Sequence, residues 1–72
     1  MKESNLRELI CELGKSMFDR GLTHGSTGNI SACDENGDLL VTPTGSSFGR
    51  LIPEDIVKVI KSGEIIGKKK PT

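Results

Sequence analysis

Seventy-two residues hold one domain at most, and a chain of this size buries only about 60% of the surface that its unfolded form exposes, so its core must be thin. Ten basic and ten acidic side chains cancel to a formal net charge of zero, which argues against a general nucleic-acid or membrane-surface binder and leaves room for a small ligand held by local fields. Cys11 and Cys33 stand in no metal-binding spacing, His24 is the single histidine, and tryptophan and tyrosine are absent. The staples that usually support small domains are therefore not visible.

The opening Met1-Lys2-Glu3-Ser4-Asn5 leads into a charged amphipathic segment with no apolar signal core and no run long enough to cross a bilayer, so the chain is read as cytoplasmic. In that setting the two distant cysteines are expected as free thiols rather than a bridge. The formal glycosylation acceptor at Asn29-Ile30-Ser31 then has no meaning. Leu6, Leu9, Ile10, Leu13 and Met17 fall at i, i+3, i+4, i+7 and i+11, the stripe of an α-helix. Asn5, three residues ahead of Glu8, is the expected N-cap of a variant capping box. At the far end Gly21 can take the left-handed position of a Schellman stop, with Leu22 over Met17. Gly14-Lys15-Ser16 resembles the end of a P-loop, but Leu9 stands where that motif needs its first glycine and no strand precedes it. Lys15 and Ser16 are read as solvated helix residues.

Arg20 to Ser31 then packs glycines, hydroxyls and one amide between the helix and a β-prone run. Main-chain N–H groups in such a concave turn, helped by Ser and Thr hydroxyls, suit an anion and phosphate above all. Ile30 to Cys33 reads as a short strand, Asn36-Gly37 as a hairpin turn, and Asp38 to Thr42 as the returning strand. Pro43 halts the ladder because it has no N–H, and Thr44-Gly45-Ser46-Ser47 forms a second hydroxyl-rich loop. Pairing of the two strands would bring Gly28 and Asn29 near Thr44 and Gly45, and a slip of one residue would undo this. The alternative for both glycine loops is plain turn chemistry with no ligand.

Phe48 and Leu51 are expected to anchor the exit from the second loop. Ile52-Pro53-Glu54-Asp55 resembles a helical turn with proline first and acids in its first turn. The β-branched Ile56 to Ile60 should be a strand that turns at Lys61-Ser62-Gly63 into Glu64-Ile65-Ile66. The order of helix, hairpin, short turn and hairpin gives an α+β fold, an N-terminal helix packed on an antiparallel sheet. One helix cannot cover both faces of that sheet, so something else should cover the second. Lys68-Lys69-Lys70 is read as a solvated basic patch.

Taken together, the sequence resembles the class II aldolase and adducin family along nearly its whole length. The residues that carry the resemblance are Arg20-Gly21-Leu22-Thr23 running into Gly28-Asn29-Ile30-Ser31, then Leu39-Leu40-Val41-Thr42-Pro43-Thr44-Gly45, Leu51 with Pro53-Glu54-Asp55-Ile56, Gly67, and Lys70-Pro71-Thr72. The run Thr23-His24-Gly25-Ser26-Thr27-Gly28-Asn29 is most similar to the branch that decarboxylates 3-oxo-tetronate 4-phosphates; the sugar-phosphate aldolases and 4-epimerases are the nearest alternatives.

The resemblance implies a partial class II aldolase-like α/β/α sandwich, and a substrate that is a phosphorylated sugar or sugar acid. It implies that Gly28, Asn29, Thr44, Gly45 and Thr72 help to cradle the substrate phosphate, Asn29 through its amide and Thr44 through its hydroxyl, the glycines admitting the backbone closely. Such enzymes hold a divalent metal, usually zinc, on histidines to stabilise an enediolate while a glutamate moves protons, and they assemble as homotetramers. The catalytic glutamate and the metal-binding His-x-His of the family follow the Pro-Thr that stands here at Pro71-Thr72, so residues 1–72 carry no catalytic residue and no metal ligand in this reading. His24 matches no ligand position. The expectation is the N-terminal portion of a metal-dependent sugar-phosphate lyase that carries part of a phosphate site. A non-catalytic adducin-like interaction module and a small phospho-metabolite binder are the alternatives.

Overall fold

The computed structural model describes residues 1–22 and 28–67. His24, the Lys68-Lys69-Lys70 run and Thr72 lie outside the described residues. Helix α1 spans Glu3–Asp19, three residues earlier at its start than the Asn5 cap would give. Its N-cap is Lys2, whose side chain caps nothing, and the expected Asn5/Glu8 box is not made. The reason lies in Glu3. In the first turn its carboxylate faces the positive end of the helix dipole, accepts from Arg7 Nε at 2.8 Å and from Lys58 Nζ at 2.8 Å, and so fixes the earlier start from two directions.

The buried seam of α1 runs through Leu6, Ile10 and Gly14. Leu13, expected inside, is 48% exposed. Gly14 explains the rotation: a Cβ built there would lie 2.9 Å from Leu51 Cδ1 and 3.4 Å from Phe48 Cγ, so the missing side chain is the notch into which the segment after the second loop docks. The helix stops as expected. Gly21 has φ +74, its N–H donates to the Phe18 carbonyl at 3.0 Å, and the Leu22 N–H donates to the Met17 carbonyl at 2.9 Å, the two bonds of a Schellman motif. The Leu22 side chain is exposed.

Strands β1 (Ser31–Cys33), β2 (Leu39–Val41), β3 (Val57–Val59) and β4 (Ile65–Ile66) form one sheet in that spatial order, and every pair is antiparallel. The expected strands are present but shorter. The 42–56 link between β2 and β3 carries two single 3-10 turns, Phe48–Arg50 and Pro53–Asp55. Phe48 is fully buried and Leu51 joins the core, so both act as the anchors the sequence predicts. Leu6, Ile10, Leu40 and Ile56 make the core cluster, which places Leu40 on the sheet face beneath α1. Alternation then puts Cys33, Leu39, Val59 and Ile65 on the other face, where the register lines them up across all four strands. The helix thus covers one face only, as expected, and β4 leaves Ile65 and Ile66 exposed.

Candidate phosphate-binding loops

The β1–β2 hairpin decides whether the two glycine loops meet, because its turn sets the register. Asp34 builds that turn. Its N–H donates to the Asp38 carbonyl at 2.9 Å, its carbonyl accepts from Gly37 N–H at 3.0 Å, and its Oδ1 accepts from the N–H groups of Asn36 and Asp38 at 2.9 and 3.0 Å. Gly37 alone takes positive φ, +84, while Asn36 does not. The Asn-Gly pair therefore marks the hairpin but not the two-residue mirror turn with which it is most often associated; the loop is a three-residue type closed by a left-handed glycine. The buried Asp34 carboxylate favours this outcome because it satisfies two N–H groups at once.

The resulting register pairs Ser31 with Val41 and Cys33 with Leu39. It persists beyond the strands at the opposite end of the hairpin. There the Thr42 N–H donates to the Ile30 carbonyl at 3.0 Å, and the Ile30 N–H donates to Thr42 Oγ1 at 3.1 Å. Gly28 and Asn29 directly precede Ile30, and Thr44 and Gly45 follow Thr42 by two and three residues. Gly28, Asn29, Thr44 and Gly45 are all exposed, and they leave the same end of one hairpin. Gly28 has φ +95 and Gly45 +73. For Gly45 this is the value a type II turn needs at its third residue, and the turn is braced by Ser46 Oγ donating to the Pro43 carbonyl at 2.8 Å. Thr72, the fifth residue assigned to this site, lies outside the described residues.

Sequence reasoning named the loop residues and missed those that hold them. In sequence Thr42 reads as the end of a strand and as part of the run Leu39 to Gly45, and Ser46 as one hydroxyl among several; neither is marked there as holding the loops. The available signal was position: a hydroxyl just before a proline, and another three residues after it, can bond the main chain where the ladder fails. Charged residues elsewhere do structural work. Lys58 Nζ lies 2.8 Å from Glu3 Oε1 and 3.6 Å from Asp38 Oδ2. The bond from Lys58, and after it that from Arg7, holds the Glu3 carboxyl below its ordinary range, and the Lys58 ammonium is pushed up in return. A hollow of about 410 Å³ is lined by Ser4, Arg7, Glu8, Pro53 and Glu54. It shares no residue with the loops, and two of its five lining residues are acidic, which suits a phosphate poorly. Among the described residues no group of three or more His, Cys, Asp or Glu could hold a metal ion. Cys11 and Cys33 are free thiols, as expected, and no described helix is long and apolar enough to cross a membrane.

One helix over a four-stranded antiparallel sheet, with Gly28-Asn29 and Thr44-Gly45 leaving the same end of one hairpin, is the framework of a class II aldolase-like domain. Residues 8–72 match the Class II Aldolase and Adducin N-terminal domain, and the chain belongs to that family. It is 43% identical over 70 residues to 3-oxo-tetronate 4-phosphate decarboxylase of Escherichia coli, covering 97% of this chain and 33% of the relative. To 5-deoxy-D-ribulose 1-phosphate aldolase of Bacillus thuringiensis serovar kurstaki it is 41% identical over 68 residues, covering 92% and 32%. The crystal structure of YgbL from Escherichia coli superposes with a TM-score of 0.90 at 43% identity, covering 97% of this chain and 34% of that one. The chain thus spans about one third of the length of the relatives it matches.

Proposed function

We propose that this chain supplies part of the phosphate-binding subsite of a class II aldolase-type lyase whose substrate is a phosphorylated sugar or sugar acid, with the decarboxylase of 3-oxo-tetronate 4-phosphate as the nearest pattern. One observation carries the reading: the Ile30–Thr42 pairing sets the Gly28-Asn29 and Thr44-Gly45 segments at one end of a single hairpin. The two relatives named above support it, since both act on compounds whose names include a phosphate. Main-chain N–H groups at exposed positive-φ glycines, an amide and a hydroxyl are donors of the kind a phosphate dianion accepts from. In this reading the residues of the chain bind and orient the phosphate end of the substrate. No bond-breaking step is assigned to them; the metal, expected to be zinc, and the proton-moving glutamate belong to the full-length family pattern.

The test is a titration of the isotope-labelled chain with inorganic phosphate, followed through backbone amide resonances. Saturable shifts at Gly28, Asn29 and Gly45, with a dissociation constant in the millimolar range, are the expected result. Shifts no larger than those produced by chloride at the same ionic strength would refute the phosphate assignment.

A further inference from the structure

We infer that Thr42 is a positioning residue for the phosphate site: its hydroxyl, rather than the β-ladder, fixes the root of the first glycine loop against the root of the second. The inference rests on the phosphate reading above and concerns how that site is built. Thr42 is 0% exposed, and its N–H donates to the Ile30 carbonyl while its Oγ1 accepts the Ile30 N–H. A regular antiparallel pair exchanges two main-chain bonds. Here the return bond ends on a side chain. It does so one residue beyond β2, at the last position that can still donate, because Pro43 follows and has no N–H.

The geometry makes the hydroxyl hard to replace. Burial and branching at Cβ restrict χ1 of Thr42 to few states, so the packing around its methyl sets where Oγ1 sits. Asn29 precedes Ile30 directly, and the Thr44-Gly45 turn begins one residue beyond Pro43. The separation of the two loops is thus set within two residues of this bond on either side. Valine at position 42 would fill the same space and leave the half-buried Ile30 N–H without this acceptor, whereas serine would keep the acceptor and lose only the methyl. Hydroxyl, not shape, is the requirement.

The experiment compares phosphate affinity and Ile30 amide hydrogen exchange in the wild-type chain, Thr42→Val, Thr42→Ser and Arg7→Lys. The last weakens the tie between α1 and the Pro53 and Ile56 carbonyls, outside the hairpin, and so controls for general loss of stability. Thr42→Val is expected to expose the Ile30 N–H to exchange and to weaken phosphate binding about ten-fold, equivalent to about 1.4 kcal/mol. Thr42→Ser should restore both, and Arg7→Lys should leave the affinity unchanged. If the valine chain does not fold, Thr42→Ala takes its place, with the same weakening expected. Wild-type affinity in the hydroxyl-free variant, or an equal loss in Arg7→Lys, overturns the positioning role while leaving the phosphate reading intact. Absence of phosphate-specific shifts in the wild-type chain overturns both.

Discussion

Arg7 ties the helix to the sheet, and its removal should be felt by the whole chain. Its Nη1 donates to the Pro53 carbonyl at 2.8 Å and to the Ile56 carbonyl at 2.6 Å, and its Nε donates to Glu3 at 2.8 Å. The side chain is 18% exposed, so water replaces these donors only in part. Hydrogen bonds from a charged donor contribute about 1.5–3 kcal/mol each. Arg7→Met keeps most of the apolar stem, removes both carbonyl bonds and leaves Glu3 its bond to Lys58. Partial access of water puts each loss near the low end, so the expected cost is about 2–4 kcal/mol. A chain of this length has about 4–11 kcal/mol in total, so the variant sits close to its unfolding threshold.

Urea unfolding, followed by circular dichroism, measures this directly. With a slope of about 1 kcal/mol per molar for so small a domain, the midpoint should fall by about 2 M or more. Arg7→Lys separates charge from geometry. One ammonium cannot reproduce the planar fork that reaches two carbonyls and a carboxylate, so lysine should recover only part of the loss. If Arg7→Met unfolds within about 0.5 kcal/mol of wild type, the guanidinium is not the tie and packing of Leu6 and Ile10 alone holds the helix.

Two further expectations follow from titratable groups. Because Glu3 has a lowered pKa in the folded chain, its contribution is present above the unfolded value and is lost as pH falls through the folded one. The stability gap between wild type and Glu3→Gln should therefore be widest near neutrality, at about 0.2–1 kcal/mol for a partly exposed pair, and close as the pH falls through the lowered folded value; a gap that stays constant into acid would contradict the pairing. Cys33 is exposed, while Cys11 is half-buried, and its thiol is pushed up first by burial and then by the charges of Glu54 and Asp55. Alkylation at mildly alkaline pH should label Cys33 several-fold faster, Cys33→Ser should abolish the fast phase, and equal rates would show that Cys11 is not shielded.

Local patterns in the sequence were read correctly where no partner from elsewhere in the chain intervenes. The stripe from Leu6 to Ile10 and the stop at Gly21 needed only the helical period and a glycine free to take positive φ. The hairpin needed only Asn36-Gly37 between two β-prone runs, although the Asp34 carboxylate changed the kind of turn. The failures share a cause, which is a partner supplied from far along the chain. Lys58, 55 residues from Glu3, sets where the helix begins, and no local capping rule contains it. Leu13 was placed inside because the period favours it, yet Phe48 and Leu51 come to Gly14 instead. A glycine inside a helix reads in sequence as a penalty, and only the approach of a second segment turns it into a docking notch.

The same dependence joins the fold to the candidate site. Phe48, seated against the Gly14 notch, lies three residues beyond Gly45, and Thr42 lies three residues before Gly45 with its hydroxyl on Ile30. The second loop is therefore held at both ends, by the helix on one side and by the first strand on the other. A side chain at position 14 would push Phe48 away and so move the loop at its far end. Sequence reasoning could name the glycines and hydroxyls of the two turns because such residues are needed wherever a chain bends around an anion. It could not separate the residues that face the ligand from those that hold the bends, because that distinction depends on which hydroxyl is turned inward, and burial of Thr42 is decided by packing across the hairpin.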